Sequence, residues 1–169
     1  MAPSATSHLS PDDAAVAVRT FPRRFRAVLA RPDDDEPVDA DELARRVGPD
    51  GRSAADHLLA ADGVLTLLGR ALEQVRADAD PVLHPRLGDL DGAWWDDPHT
   101  PLGGLLDQLD ATAGATADRI DAIANDEWVR PVRIAELDGP REPIELLREA
   151  VDVTARHLRA AERTVAAVR

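Results

Sequence analysis

The chain has 169 residues, enough for one domain to bury its own core without disulfides or a structural metal. A formal net charge of -12 argues against nucleic acid as a partner, because binding to a phosphate backbone draws its affinity from basic side chains that displace counterions. Aromatic residues make up 3% of the chain and Tyr is absent, so the core has to be aliphatic.

Residues 1–10 are small and polar and read as a disordered tail ahead of a single domain over 11–169. The tail lacks the basic and apolar regions of a signal peptide, and nowhere do about 18 apolar residues run together. No membrane partner is expected, and the cytoplasm is the default location. Val18, Phe21, Phe25, Val28 and Leu29 recur at three- and four-residue spacing and predict a first long helix over 12–30, with Pro22 expected to kink it or delay its start. Arg31 to Pro37 reads as a loop, and Asp39 to Val47 as a short amphipathic helix stopped by Gly48-Pro49. Ser53 is placed to cap a second long helix, 53–77, with Asp56 in the capping-box position. Leu58, Ala61, Leu65, Leu68, Leu72 and Val75 form its apolar stripe.

The stretch from Asp78 to Pro101 is rich in Pro, Gly and Asp, carries Trp94 and Trp95, and is long enough to cross the molecule. A third long helix, 101–124, follows from Leu102, Leu105, Leu106, Leu109, Ala113, Ala117, Ile120 and Ile123. A second long connection runs from Asn125 to Pro143, and its segment from Trp128 to Ile134 suggests a marginal hairpin. Pro143 then opens a fourth long helix, 143–168, on Leu147, Ala150, Val151, Thr154, Leu158, Ala161, Val165 and Val168. The fold class is therefore all-α, a four-helix bundle with two long crossover connections.

All twenty basic residues are Arg and Cys is absent, which excludes Lys and thiolate nucleophiles, disulfides and Cys-ligated zinc. Histidine is the remaining side chain suited to proton transfer or metal ligation near neutral pH. His8 lies in the tail, and His84 and His99 fall in the first crossover, where a loop role is the plainer assignment. His57 aligns with Ala61, Val64 and Leu68 on one helix, and His157 with Ala150, Thr154 and Ala161 on another. Both imidazoles should face the bundle interior and flank one pocket, which makes His57 and His157 the candidate catalytic pair. Trp128 is the candidate for a cofactor-facing ring at a pocket rim, beside its alternative role in capping the bundle. The ligand count argues against a divalent metal such as zinc or nickel, since Val153 stands four residues before His157 while Asp152 and Asp62 project away from the two imidazoles. No metal ligands are assigned. Phosphate-binding loops, dinucleotide glycine fingerprints, nucleophile elbows and HExxH are all missing.

The order of Pro49-Asp-Gly-Arg-Ser-Ala-Ala-Asp-His-Leu58, long crossover, third helix, Glu127-Trp-Val-Arg130, Gly139, and Leu146 through His157-Leu158 resembles the DinB-like superfamily. More narrowly it resembles the branch that includes the N-terminal domains of mycothiol-dependent maleylpyruvate isomerases, over most of residues 12–168. The resemblance implies a four-helix bundle in which one His of the second long helix and an H-x3-H pair of the fourth hold a divalent metal that activates a low-molecular-weight thiol such as mycothiol. This chain departs from that ligand set: Arg52 stands in the Trp place and Ala60 in the His place of the family's helix-two pattern, and Val153 takes the first His position of the pair. Only His157 matches.

Two readings follow. One is a thiol-dependent transferase or isomerase working with His57 and His157 on a small molecule or low-molecular-weight thiol. The other is a non-catalytic small-ligand-binding or dimerisation module on the same bundle, with a homodimer as the partner if the aliphatic faces exceed what one bundle buries.

Overall fold

Helical periodicity and local capping account for where the helices begin and end. The computed structural model describes residues 8–29, 39–91 and 99–168. Its helices are α1 (Pro11–Leu29), α2 (Ala40–Arg45), α3 (Ala54–Ala77), α4 (Leu102–Asp121) and α5 (Pro143–Val168). Ser53 caps α3 as its sequence suggests: the hydroxyl accepts from the Asp56 N–H at 3.1 Å, and the Asp56 carboxylate accepts from the Ser53 N–H at 2.7 Å. Arg130 donates to the carbonyls of Val75 and Asp78 and so satisfies the far end of the same helix. Pro143 begins α5, where its missing N–H costs nothing.

Pro22 neither delays nor divides α1, which runs unbroken through it. The ring removes one intrahelical hydrogen bond, but Val18, Phe21, Pro22 and Phe25 are all buried, so packing of this face against the bundle holds the helix together.

Side-chain pairs fix the helix directions. Arg19 reaches Asp118 and Asp121 at 2.9 and 2.7 Å while Arg26 reaches Asp107 at 2.8 Å, so α1 and α4 run antiparallel. Asp62 meets Gln108 and Glu73 meets Arg119, so α3 and α4 run parallel. Arg148 near the start of α5 bonds the Leu9 carbonyl at 3.0 Å, and Arg46 after α2 bonds the carbonyl of Val168 at 3.2 Å. α5 therefore runs with α1 and against α3. In the resulting ring α1 and α3 each pack between α4 and α5. The chain goes up, down, down and up, which requires the 78–101 connection to carry it from one end of the bundle to the other.

The second connection stays at one end, and the hairpin expected within 128–134 does not form. Instead β1 (Val82–Leu83) pairs in parallel with β2 (Arg133–Ile134), and Val132 bridges Arg141. The Ala135 N–H donates to the Leu83 carbonyl at 2.9 Å, clasping the two connections together. Gly88, ending the 3-10 turn Pro85–Gly88, lies so close to Leu137 that an added Cβ would collide with its Cδ1.

The core is aliphatic, as the composition requires, with Phe21, Phe25 and Trp128 its buried aromatic members among the described residues. Of the tail over 1–10, residues 1–7 lie outside the described residues, as do the Arg31–Pro37 loop and the pair Trp94 and Trp95. No described helix is long and apolar enough to cross a membrane.

Candidate functional site: a buried histidine pair

The site lies at the end of the bundle where α3 begins. Between α2 and α3 the chain makes a tight turn, with the Gly48 N–H donating to the Arg52 carbonyl at 2.8 Å, Val47 bridging Ser53, and Gly51 at φ 79°. Gly48 packs against α5 so closely that a Cβ would lie 2.9 Å from Thr164, so the turn requires glycine at this point of contact. Asp50 sits at the tip of this pinned turn. Its Oδ1 accepts from the Arg52 N–H at 3.1 Å, and its Oδ2 lies 3.1 Å from His57 Nε2.

His57, one turn into α3, and His157, on α5, are 3% and 6% exposed. Their Nδ1 atoms are 3.3 Å apart, with ring centroids 5.6 Å apart and planes inclined at 41°. The structure therefore brings the predicted pair together in the interior. Trp128 does not join them. It is 5% exposed, on the 3-10 turn Glu127–Val129 packed against α5 at the opposite end of the bundle, and serves as core. His84 caps the Pro85–Gly88 turn through Nδ1, while His8 and His99 are exposed.

Hydrogen-bond accounting assigns one tautomer to the pair. The ionised Asp50 carboxylate can only accept, so His57 Nε2 carries a proton and donates. Neutral His57 then presents Nδ1 as an acceptor, and His157 donates to it from its own Nδ1. That leaves the proton off His157 Nε2, an atom that is buried and has no hydrogen-bond partner. The chain of bonds thus runs from a half-exposed carboxylate through one imidazole to a second imidazole ending in a bare lone pair.

The electrostatics agree with two neutral rings. Burial lowers the His57 pKa against the opposing pull of Asp50. Burial, with His57 and Arg52 adding to it, pushes His157 down to about 4. Burial raises the Asp50 carboxyl, but the Arg52 N–H and His57 outweigh it and leave Asp50 below its ordinary value.

The residues present do not fit a divalent metal. Among the described residues no group of three or more His, Asp or Glu side chains can hold one. Asp50 is bonded to the nitrogen of His57 that faces away from His157, so it cannot complete a shared coordination sphere at the facing nitrogens. Asp62 is turned to α4, where Gln108 donates to its Oδ2 at 2.6 Å, and Asp152 is engaged by Arg156 at 3.3 Å. The positions at which the sequence resemblance implies further ligands hold Ala60 and Val153, 6% and 1% exposed.

Asp50 was not among the residues singled out from the sequence. The available signal was an Asp in the tip of the Gly48-Pro-Asp-Gly51 turn immediately before an N-cap, where a carboxylate can reach the first turn of the following helix.

No family model matches this chain, and no curated protein matches it in sequence. Among solved structures it is similar to YfiT from Bacillus subtilis, described as a probable metal-dependent hydrolase with an unusual four-helix bundle topology. The TM-score is 0.65 at 12% sequence identity, covering 90% of this chain and 83% of that one. At that identity the likeness establishes a shared fold, the four-helix bundle with crossovers. Neither a superfamily nor the narrower maleylpyruvate isomerase branch follows from it.

Proposed function

We propose that this chain is a metal-free DinB-like bundle that takes a small molecule bearing an S–H or O–H group at His157 Nε2, with a low-molecular-weight thiol of the mycothiol type as the leading candidate. The observation that carries this reading is the buried, unpartnered nitrogen of His157. A buried acceptor left unsatisfied costs roughly 1–3 kcal/mol, and a ligand hydroxyl or thiol would remove that cost.

The chemistry such a contact allows is thiol-dependent transfer or isomerisation by proton removal. As the ligand's S–H bond breaks, its proton passes to His157 Nε2 and the electron pair stays on sulfur. The Nδ1 proton of His157 moves to His57, and the Nε2 proton of His57 moves to Asp50, whose carboxyl is half-exposed and returns it to water. Neither ring has to carry a full positive charge in the interior. His157 is the catalytic residue in this scheme, while His57 and Asp50 act through it.

A second reading, binding without turnover, is favoured by the depth of the pair and by a His157 pKa near 4, which makes the isolated ring a weak base. One experiment separates the readings. Imidazole nitrogen spectra of the labelled protein should show His157 Nε2 unprotonated and shifting on addition of mycothiol, but not on addition of its S-methyl ether. An unmoved resonance overturns the proposal. Thiol consumption with an activated aryl chloride, lost in His157→Leu, then assigns transferase chemistry; binding without consumption assigns the module.

A further inference from the structure

The opposite end of the bundle carries a separate concavity. The outer face of α3 and the first crossover border an open cavity of about 770 Å³, within the range typical of small-molecule sites. Leu67, Ala71 and Leu87 form its apolar floor, 8%, 3% and 1% exposed. Arg70 and His84 stand at its rim.

Three features give this cavity a sign. Glu73, which also lines it, is held by Arg119 at 2.5 Å and is thereby neutralised. Arg70, one turn from it, makes no hydrogen bond or ion pair among the described residues, although acidic residues outnumber basic ones 32 to 20 in this chain. His84 Nδ1 accepts from the Arg86 N–H at 3.2 Å, so in the neutral ring the proton sits on Nε2 and makes that atom a donor. An exposed guanidinium and an N–H donor thus flank an aliphatic floor, with the neighbouring carboxylate already engaged.

We infer that this cavity binds a small monocarboxylate with an aliphatic body, its carboxylate on Arg70 and His84 and its tail on Leu67, Ala71 and Leu87. A planar guanidinium matches a carboxylate through paired hydrogen bonds. Arg86 also lines the cavity but has an interaction of its own, so Arg70 is the one unengaged guanidinium there, inside a chain of net charge -12, which favours a monoanion over a phosphate dianion. A second, smaller cavity of about 350 Å³ between α3 and α4 shares Arg70 and Glu73, so the guanidinium can be approached from either side of α3.

Calorimetric titration with octanoate, octanol and octyl phosphate tests the inference. Octanoate should bind saturably at one site, and octanol and octyl phosphate should each bind more weakly. Arg70→Ala should weaken octanoate binding roughly tenfold, as expected for loss of a charge-assisted pair, and His84→Ala should weaken it to a lesser degree. Both residues are exposed, so unchanged circular dichroism shows that the variants fold. Octanoate should leave the His57 and His157 nitrogen resonances in place, which keeps this site distinct from the histidine pair. The inference is overturned by the absence of saturable binding, by equal binding of octanol, by tighter binding of octyl phosphate, by indifference to Arg70→Ala, or by octanoate moving the His157 resonance.

Discussion

His57 and His157, a hundred positions apart in the chain, meet nitrogen to nitrogen at 3.3 Å inside the bundle. A contact of that kind requires one ring to donate and the other to accept, so it is compatible with two neutral imidazoles and incompatible with two protonated ones. Asp50 decides which ring does which.

Acid should weaken the fold through this pair. A His whose value in the folded chain lies below its ordinary 6.5 favours folding only while neutral. The stabilisation is therefore complete above about pH 6.5 and is lost as pH falls through about 4. The gap corresponds to at most roughly 3 kcal/mol for His157. Urea unfolding at about pH 7.5 and about pH 4.5 should show a smaller acid-induced loss for His157→Leu than for the unsubstituted chain, since the carboxylates titrate alike in both.

Asp50→Ala should unfix the tautomer. Without its carboxylate acceptor His57 is free to place its proton on either nitrogen, and His157 Nε2 should show mixed protonation in imidazole nitrogen spectra at neutral pH. The expected stability loss is about 1 kcal/mol, because the half-exposed site admits water in place of the carboxylate. Asp50→Asn keeps an acceptor oxygen and should preserve the single tautomer.

Metal binding should be recoverable. Replacing Ala60 and Val153 together with His places three imidazoles, with His157, at the positions implied by the family resemblance. The double variant should bind zinc or nickel at one equivalent by elemental analysis after chelator-free purification, at a packing cost of about 1–3 kcal/mol for the larger side chains. Failure of the double variant to retain metal would show that this bundle interior lacks the geometry for a metal centre even with three imidazoles in place.

Ser53→Ala should lower stability by about 0.5–2 kcal/mol, the usual consequence of losing an N-cap, measured by urea unfolding. The same substitution loosens the turn that presents Asp50, so the His157 Nε2 resonance should broaden even though Ser53 touches neither imidazole.

Much of this architecture is legible in the sequence because it is periodic. Leu58, Leu65, Leu68 and Leu72 repeat at helical spacing, Ser53 and Asp56 spell the cap, and helical phase alone turns His57 and His157 inward. Asp50 escapes that reading because it sits in a turn, where no period applies and its partner is set by tertiary packing of Gly48 on Thr164. The β1–β2 pairing escapes for a similar reason: two residues are too few to show alternation, and the partner lies in the other connection. Pro22 neither ends nor delays its helix, since its effect on one hydrogen bond is outweighed by the buried face around it. The bonded state of the two imidazoles depends on distances of a few tenths of an ångström, which spacing along a chain does not encode.

The clasp between Leu83 and Ala135 bears on how the molecule assembles. Its two halves are separated by the whole of α4, so closing it is a non-local pairing with that entire helix inside the loop. It therefore belongs to the late stage of refolding, when the slower, non-local pairings are made. The Ala135 amide should acquire protection from exchange after those in the middle of α3, a time-resolved signature of the chain having completed its unusual path.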